Sequence, residues 1–350
     1  MNDPLRPLTL SEILDRTEQM YRERFLVYFG IGVVPSATLL VFAGLGFVLL
    51  AWAGSGAPDP ATQGTQTMVA ALFLLLFGLV VLPLWLGSTA LGWAAMCQAA
   101  SGALLGEPFT IREAYARAFG RGWRYVGLYV LLALIVAAGP LAALVGGAAV
   151  LGAVAALGRG AGAGGGLVTL AGFGVFALAA VLGAFALWML VRLSLAYPAC
   201  VVEELGPWTA IKRSNALSKG TYGRILVLLL LGAVLSWILA LGAMVPVAAV
   251  VALIPAANAP QHAALVGRIF LFAWYGLSIG LQAVVRPVYG IALTLFYFDQ
   301  RIRNEGFDIE WMMRQAGMSP EPTPAAETAP SPHPLPPAAP SELPRTGDAA

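Results

Sequence analysis

Arg286 is the residue of this 350-residue chain whose surroundings most need a chemical explanation. It lies in a long apolar stretch, 12 residues before Phe298, which corresponds to about 18 Å of helix. An arginine at this depth in a bilayer costs at least about 2.5 kcal/mol, and the apolar stretches hold no Asp or Glu to pair with it. One interpretation is that Arg286 binds a lipid phosphate or another anionic group in a hydrated cleft. The other is that its side chain bonds carbonyls freed at the Arg286-Pro287 kink, or extends to the membrane surface.

Arg192 is a second cation, near the end of another apolar stretch. Its long side chain can reach the interface from there, and this snorkelling explains the residue on its own. If the fourth and sixth apolar stretches are neighbours, Arg192 would also join Arg286 as a second phosphate contact. The sequence thus predicts an anion or lipid-headgroup contact at Arg286, with Arg192 as its candidate companion.

Charged residues of alternating sign follow the last apolar stretch. They are Asp299, Arg301, Arg303, Glu305 and Asp308. One hypothesis makes them a cytoplasmic docking surface for a protein partner. The interpretation that we favour is a salt-bridged helix end, in which Gly306 stops one helix and Asp308 caps the next.

The patterns that could carry catalysis lack the partners that catalysis needs. The segment 276–280 matches G-x-S-x-G around Ser278, but a serine hydrolase needs a nearby His and a strand-to-helix elbow. The chain has only His262 and His333, so we interpret the motif as a helix-packing G-x-x-x-G. No metal-ligand motif is present, and Cys97 and Cys200 are expected to be buried free thiols. The sequence therefore predicts no catalytic residue, no metal, no cofactor and no enzyme activity.

The elements that must position these residues are membrane helices. Hydrophobic residues make up 59% of the chain and charged residues 11%, with a mean hydropathy of +0.79, whereas soluble domains carry about 25% charged residues. Apolar stretches of more than the roughly 20 residues needed to span a bilayer lie at about 25–53, 68–97, 125–157, 167–199, 225–256 and 264–298. The predicted fold is an all-α polytopic membrane bundle of six spans, arranged as three helical hairpins.

Short amphipathic helices are predicted at the junctions between hairpins. Thr9 with Glu12, and Thr110 with Glu113, have capping-box spacing. Pairs of a bulky apolar residue and a capping residue recur about every hundred residues, at Leu8-Thr9, Phe109-Thr110, Trp208-Thr209 and Phe307-Asp308. We interpret this period as an internal repeat. The alternative is that each cytoplasmic helix exit independently requires a helix stop, a cap and an aromatic anchor. An interfacial aromatic belt is expected from Trp123, Tyr125, Trp208, Tyr222, Phe296 and Tyr297.

The distribution of basic residues predicts an orientation. Sixteen of the 20 Lys and Arg residues lie in the terminal segments and in the loops at 100–124 and 201–224. The positive-inside rule then places both termini and all the junctions in the cytoplasm. Residues 1–316 are predicted to form the membrane domain. Residues 317–350, rich in Pro and Ala, are predicted to be a disordered cytoplasmic tail.

One stretch resembles a known family. Residues 297–308, from Tyr297 to Asp308, are similar to the Y-x-D-x-R-x-R-x-E-G-x-D signature of a prokaryotic membrane family, named for the membrane domain of glycerophosphoryl diester phosphodiesterases. Residues 10–15 and 201–214 also resemble that family, and the likeness covers residues 1 to about 316. The resemblance implies a multi-pass protein of the prokaryotic inner membrane whose function is uncharacterised. It does not imply the name-giving activity, because the chain lacks the His-containing soluble barrel.

Three classes of function stay open. The first, which we favour, is a non-enzymatic lipid-interacting or accessory protein that contacts the bilayer, anionic lipid, or a protein partner through its helices or tail. The second is a transporter or flippase for an anionic lipid-like substrate, although no intramembrane carboxylate is present to couple ions. The third is an intramembrane enzyme, which lacks a base near any nucleophile. No basic patch suggests nucleic acid.

Overall fold

The computed structural model describes residues 6–53, 60–107, 109–161, 164–253 and 263–315. These residues form helices and no strand. The helices are α1 (Leu10–Glu23), α2 (Phe25–Ala53), α3 (Pro60–Leu104), α4 (Ile111–Gly120), α5 (Gly122–Ala161), α6 (Gly164–Leu193), α7 (Ala196–Val202), α8 (Pro207–Leu217), α9 (Tyr222–Ala252), α10 (Ala263–Glu305) and α11 (Phe307–Gln315). The predicted disordered tail at 317–350 lies outside the described residues.

Six of these helices are long and apolar enough to cross a membrane. The candidate spans are Phe25–Phe47, Leu75–Leu104, Gly122–Val154, Thr169–Val202, Tyr222–Ala252 and Val266–Glu305. The prediction of an all-α polytopic bundle with six spans is therefore confirmed. The chain is an integral, multi-pass membrane protein.

The fourth apolar stretch is broken, where the sequence predicted one continuous span. Helix α6 ends at Leu193 and α7 begins at Ala196. Pro198 explains the break, because proline has no N–H and its ring crowds the carbonyl four residues earlier, here that of Ser194. The turn brings the end of α6 and the short α7 against the other helices.

The helix caps confirm two of the four predicted junctions and correct the other two. Thr9 and Thr110 cap α1 and α4, each with a complete capping box. Helix α8 is capped by Gly206 instead of Thr209, since Pro207 occupies the first helical position, where proline is favoured. Helix α11 begins at Phe307, so Asp308 lies inside its first turn and is not the cap. The hundred-residue repeat stays a prediction.

The charged junctions meet at one end of the bundle, which we call the charged end. The amide of Leu8 donates to Asp299 over 2.7 Å, Arg124 donates to the carbonyl of Glu204 over 3.0 Å, and Arg213 lies 2.5 Å from Glu305. The fully buried core lies at this end and includes Cys97, Tyr125, Leu195, Cys200, Phe296 and Tyr297. Both cysteines are free and buried, as predicted.

Helix α10 forms the centre of the bundle. In its candidate span, 56% of an 18-residue apolar segment is buried inside the protein. The corresponding share is 11% for each of the candidate spans in α5, α6 and α9. It packs against α1, α2, α3 and α9. Gly32 lets α2 approach closely, because a Cβ at that position would lie 2.5 Å from the carbonyl oxygen of Ala283. Small residues at such crossings are what membrane helices use to pack.

The chain divides into two units, Met1–Phe307 and Asp308–Ala350. The first contains the six spans and the core at the charged end. The division lies ahead of the boundary predicted after residue 316. Of the second unit, only the remainder of α11, through Gln315, is among the described residues.

Candidate anion site beside Arg286

A cavity of about 480 Å³ lies between five of the spans and is bounded by α3, α5, α6, α7, α9 and α10. Its volume falls within the range of about 300–1,000 Å³ that is usual for ligand pockets. Its lining combines polar residues, among them Thr89, Gln282 and Arg286, with apolar residues such as Ala133 and Leu190. An amphiphile could contact both kinds of residue there.

Arg286 brings the charge to this cavity. Its Nη1 is buried and has no hydrogen-bond partner among the described residues. The carbonyl that Pro287 frees is that of Ala283, four residues earlier, and Nη1 does not bond to it. The kink interpretation, in which Arg286 satisfies freed carbonyls, therefore does not account for its buried Nη1.

Thr89 is a second polar residue that lines, together with Arg286, both this cavity and a smaller one beside α2. Only 3% of Thr89 is exposed, and its Oγ1 has no partner among the described residues. Threonine in a helix usually bonds the carbonyl four residues earlier, as Thr17 and Thr294 do here over 2.7 Å. A buried hydroxyl without a partner costs free energy, so Thr89 is poised to bind something at this position.

One neighbour of the cavity beside Arg286 is α4, which lies outside the six candidate spans. The Tyr115 hydroxyl of α4 donates to the carbonyl of Ile31 over 2.8 Å, and Ile31 and Gly92 line the small cavity with Arg286. Burial raises the pKa of Tyr115, while the nearby charge of Arg286 lowers it in part. Arg286 therefore lies near a short helix that carries the exposed Arg112 and Arg117.

The large exposed apolar residues of α3 and α10 end before Thr89 and Arg286. On α10, the last strongly exposed large apolar residue of the span is Leu277, nine residues before Arg286. On α3 it is Leu84, five residues before Thr89. Phe296, Tyr297 and Phe298 are buried in the core and do not form an exposed interfacial belt, and the depth of Arg286 stays a prediction. Tyr125 is likewise buried, whereas Trp123 and Trp208 are exposed as an interfacial belt requires.

Arg192 is not brought to the cavity. Its Nε and Nη2 donate to Oδ1 of Asn215 over 2.9 and 2.6 Å, and its guanidinium lies 4.4 Å from the ring of Trp188. The neighbouring Leu190, Leu193 and Ser194 line the cavity, but Arg192 does not. The proposed pairing of the two arginines on one anion is therefore not the arrangement seen.

The residues of the C-terminal signature hold the charged end together. Asp299 accepts from Leu8 and pairs with Arg224 and Arg303, while Tyr297 donates to Glu203. Arg301 pairs with Glu203 and Glu305. Asp299 cannot belong to an exposed docking surface, because its side chain is fully buried. The salt-bridged helix end that we favoured accounts for Arg301, Arg303 and Glu305, and Gly306 ends α10 with a positive φ of 67°.

The G-x-S-x-G pattern lies inside α10, away from any strand-to-helix turn. A Cβ on Gly276 would lie 3.7 Å from Leu40, which is ordinary packing contact with α2. This position fits the interpretation of the motif as a helix-packing element.

No family model matches the chain, and no curated protein or solved structure matches it. The resemblance to the membrane-domain family rests on the residues 297–308 themselves and stays a prediction. The arrangement around Arg286 has to be interpreted from its own chemistry. Sequence reasoning identified Arg286 but missed Thr89 and Gln282, which look like ordinary polar residues in apolar helices.

Proposed function

We propose that this protein binds the anionic head group of a lipid-like molecule in the cavity beside Arg286, without catalysing a reaction. The observation that carries the proposal is the buried, unpartnered Nη1 of Arg286, a residue that lines a cavity of about 480 Å³. A buried donor nitrogen without a partner costs free energy, and an anionic ligand that binds it would remove that cost. Guanidinium is also the side chain best shaped to bind phosphate or carboxylate.

The cavity is accessible to a lipid chain. Leu190 lines it and is 42% exposed on the apolar surface of α6. A head group bound at Arg286 would lie near the level of α4, and its tail would pass Leu190 into the bilayer. This geometry supports a lipid-interacting or accessory role at one membrane surface more than transfer across the membrane.

The orientation is part of the proposal. The concentration of basic residues at the charged end favours placing that end in the cytoplasm. The ligand would then enter from the cytoplasmic leaflet of a prokaryotic inner membrane, as the resemblance of residues 297–308 also suggests.

Filling the cavity tests the proposal without touching its charge. Ala133→Phe places a ring in the cavity wall, where it occupies space that the ligand needs. Overpacking the occupied cavity costs at least about 1.4 kcal/mol, so binding of tritiated dodecyl methyl phosphate is expected to weaken about tenfold. Binding is measured by equilibrium dialysis of the purified protein in maltoside micelles.

Leu134→Phe is the matched control, since Leu134 is 62% exposed and is not part of the cavity wall. It should bind the probe as the parent protein does. Equal affinity of the Ala133→Phe variant and the parent would contradict the proposed site.

A further inference from the structure

The charge inventory of the cavity limits the ligands that it can hold. Arg286 is the only charged side chain among the described residues that line it. The other polar residues of the described wall, among them Thr89, Tyr129 and Gln282, are neutral. The wall thus supplies one positive charge and neutral hydrogen-bond partners.

We propose, building on the proposed function, that the cavity selects a head group with a single negative charge and that Thr89 is a specificity-determining residue. One guanidinium neutralises one oxyanion, as in a phosphodiester or a carboxylate. A dianion such as a pyrophosphate would leave one uncompensated charge in a largely apolar cavity. A zwitterionic head group would bring an ammonium, for which the described part of the wall offers no carboxylate.

Thr89 supplies the second contact. Thr89 and Arg286 line the same two cavities, and the Thr89 hydroxyl is buried and has no partner in the described part of the chain. A hydroxyl donates one hydrogen bond, so it can bind a second oxygen of the head group. A hydrogen bond to a charged group is stronger than one between neutral groups, so the loss of this bond should lower the affinity for the head group measurably.

A panel of probes with one dodecyl tail tests the selectivity. Dodecyl methyl phosphate, dodecanoate, dodecylphosphocholine and dodecyl pyrophosphate are each used to displace tritiated dodecyl methyl phosphate from the protein in maltoside micelles. The two singly charged probes should bind at least about tenfold more tightly than the pyrophosphate and the phosphocholine. The relative affinities of dodecyl methyl phosphate and dodecanoate show whether the site prefers a phosphodiester or a carboxylate head group.

Two variants connect the selectivity to named residues. Thr89→Val keeps the shape and should weaken the phosphodiester about tenfold. Gln282→Lys adds a second positive charge to the wall and should move the preference towards the pyrophosphate. Circular dichroism and gel filtration show whether each variant is folded. If the Gln282→Lys variant does not fold, Thr89→Val remains as the test.

The outcomes separate this inference from the proposed function. If no dodecyl anion binds, or Ala133→Phe leaves binding unchanged, the proposed function fails. If the anions bind in the cavity but the pyrophosphate or the phosphocholine binds as tightly as the phosphodiester, the selectivity is overturned. If Thr89→Val binds the phosphodiester as the parent does, Thr89 is not a specificity-determining residue.

Discussion

Asp299→Ala is expected to lower the free energy of unfolding by about 3 kcal/mol, the low end of the cost of breaking a buried ion pair. Asp299 accepts from the amide of Leu8 over 2.7 Å and lies 3.0 Å from Arg303 and 3.3 Å from Arg224. Both arginines also donate to the carbonyl of Leu8, over 2.7 and 2.9 Å. Removing the carboxylate leaves the guanidinium groups of Arg224 and Arg303 without the negative charge between them, and it leaves the Leu8 amide without its acceptor.

The measurement is unfolding of the purified protein in mixed micelles titrated with sodium dodecyl sulfate. Glu18→Ala is the control, because the Glu18–Arg22 pair is exposed, at 67% and 79% of the two side chains, and such pairs contribute little. A change for Asp299→Ala no larger than that for Glu18→Ala would contradict the role given to Asp299.

Arg286→Gln is expected to weaken binding of dodecyl methyl phosphate by about one hundredfold. The variant loses the only charge in the described cavity wall, and hydrogen bonds to a charged group contribute about 1.5–3 kcal/mol, or roughly ten- to more than one hundredfold in affinity. Arg286→Lys keeps the charge but lacks the two-pronged geometry, so it should fall between the parent and Arg286→Gln.

The stability of the same variant separates a binding role from a structural one. Because the buried Nη1 has no partner among the described residues, Arg286→Gln should leave the free energy of unfolding unchanged or raise it, as is common when a functional site is removed. Arg192→Gln is the matched control: it should keep the probe affinity but destabilise the protein, since it loses the bonds to Asn215. Destabilisation by Arg286→Gln with unchanged binding would make Arg286 a structural residue.

Local patterns were enough to predict the framework. The six spans follow from length and apolarity, and the capping boxes at Thr9 and Thr110 follow from residues three apart. Both depend on neighbours within one helical turn or one continuous stretch. The predictions failed at Thr209 and Asp308, where Pro207 and Phe307 start the helices earlier than the capping residues suggested.

The site required contacts that no local pattern encodes. Arg286 was recognisable because a charge in an apolar stretch is rare, but the packing of α4 beside α2 and α3 through Tyr115 was not. Thr89 was not recognisable, since neither its missing partner nor the cavities that it shares with Arg286 follow from the residues next to it in the chain. The signature residues looked like a local salt-bridged end, yet Asp299 binds Leu8, 291 positions away.

Photocrosslinking tests the location of the ligand most directly. A dodecyl phosphodiester that carries a diazirine next to its head group is irradiated with the protein in bilayer nanodiscs, and the modified peptides are identified by mass spectrometry. The account predicts modification of α3 near Thr89 and of α10 near Arg286, suppressed by excess unlabelled dodecyl methyl phosphate. Modification confined to the exposed surfaces around Trp123 and Trp208, and undiminished by the competitor, would contradict it.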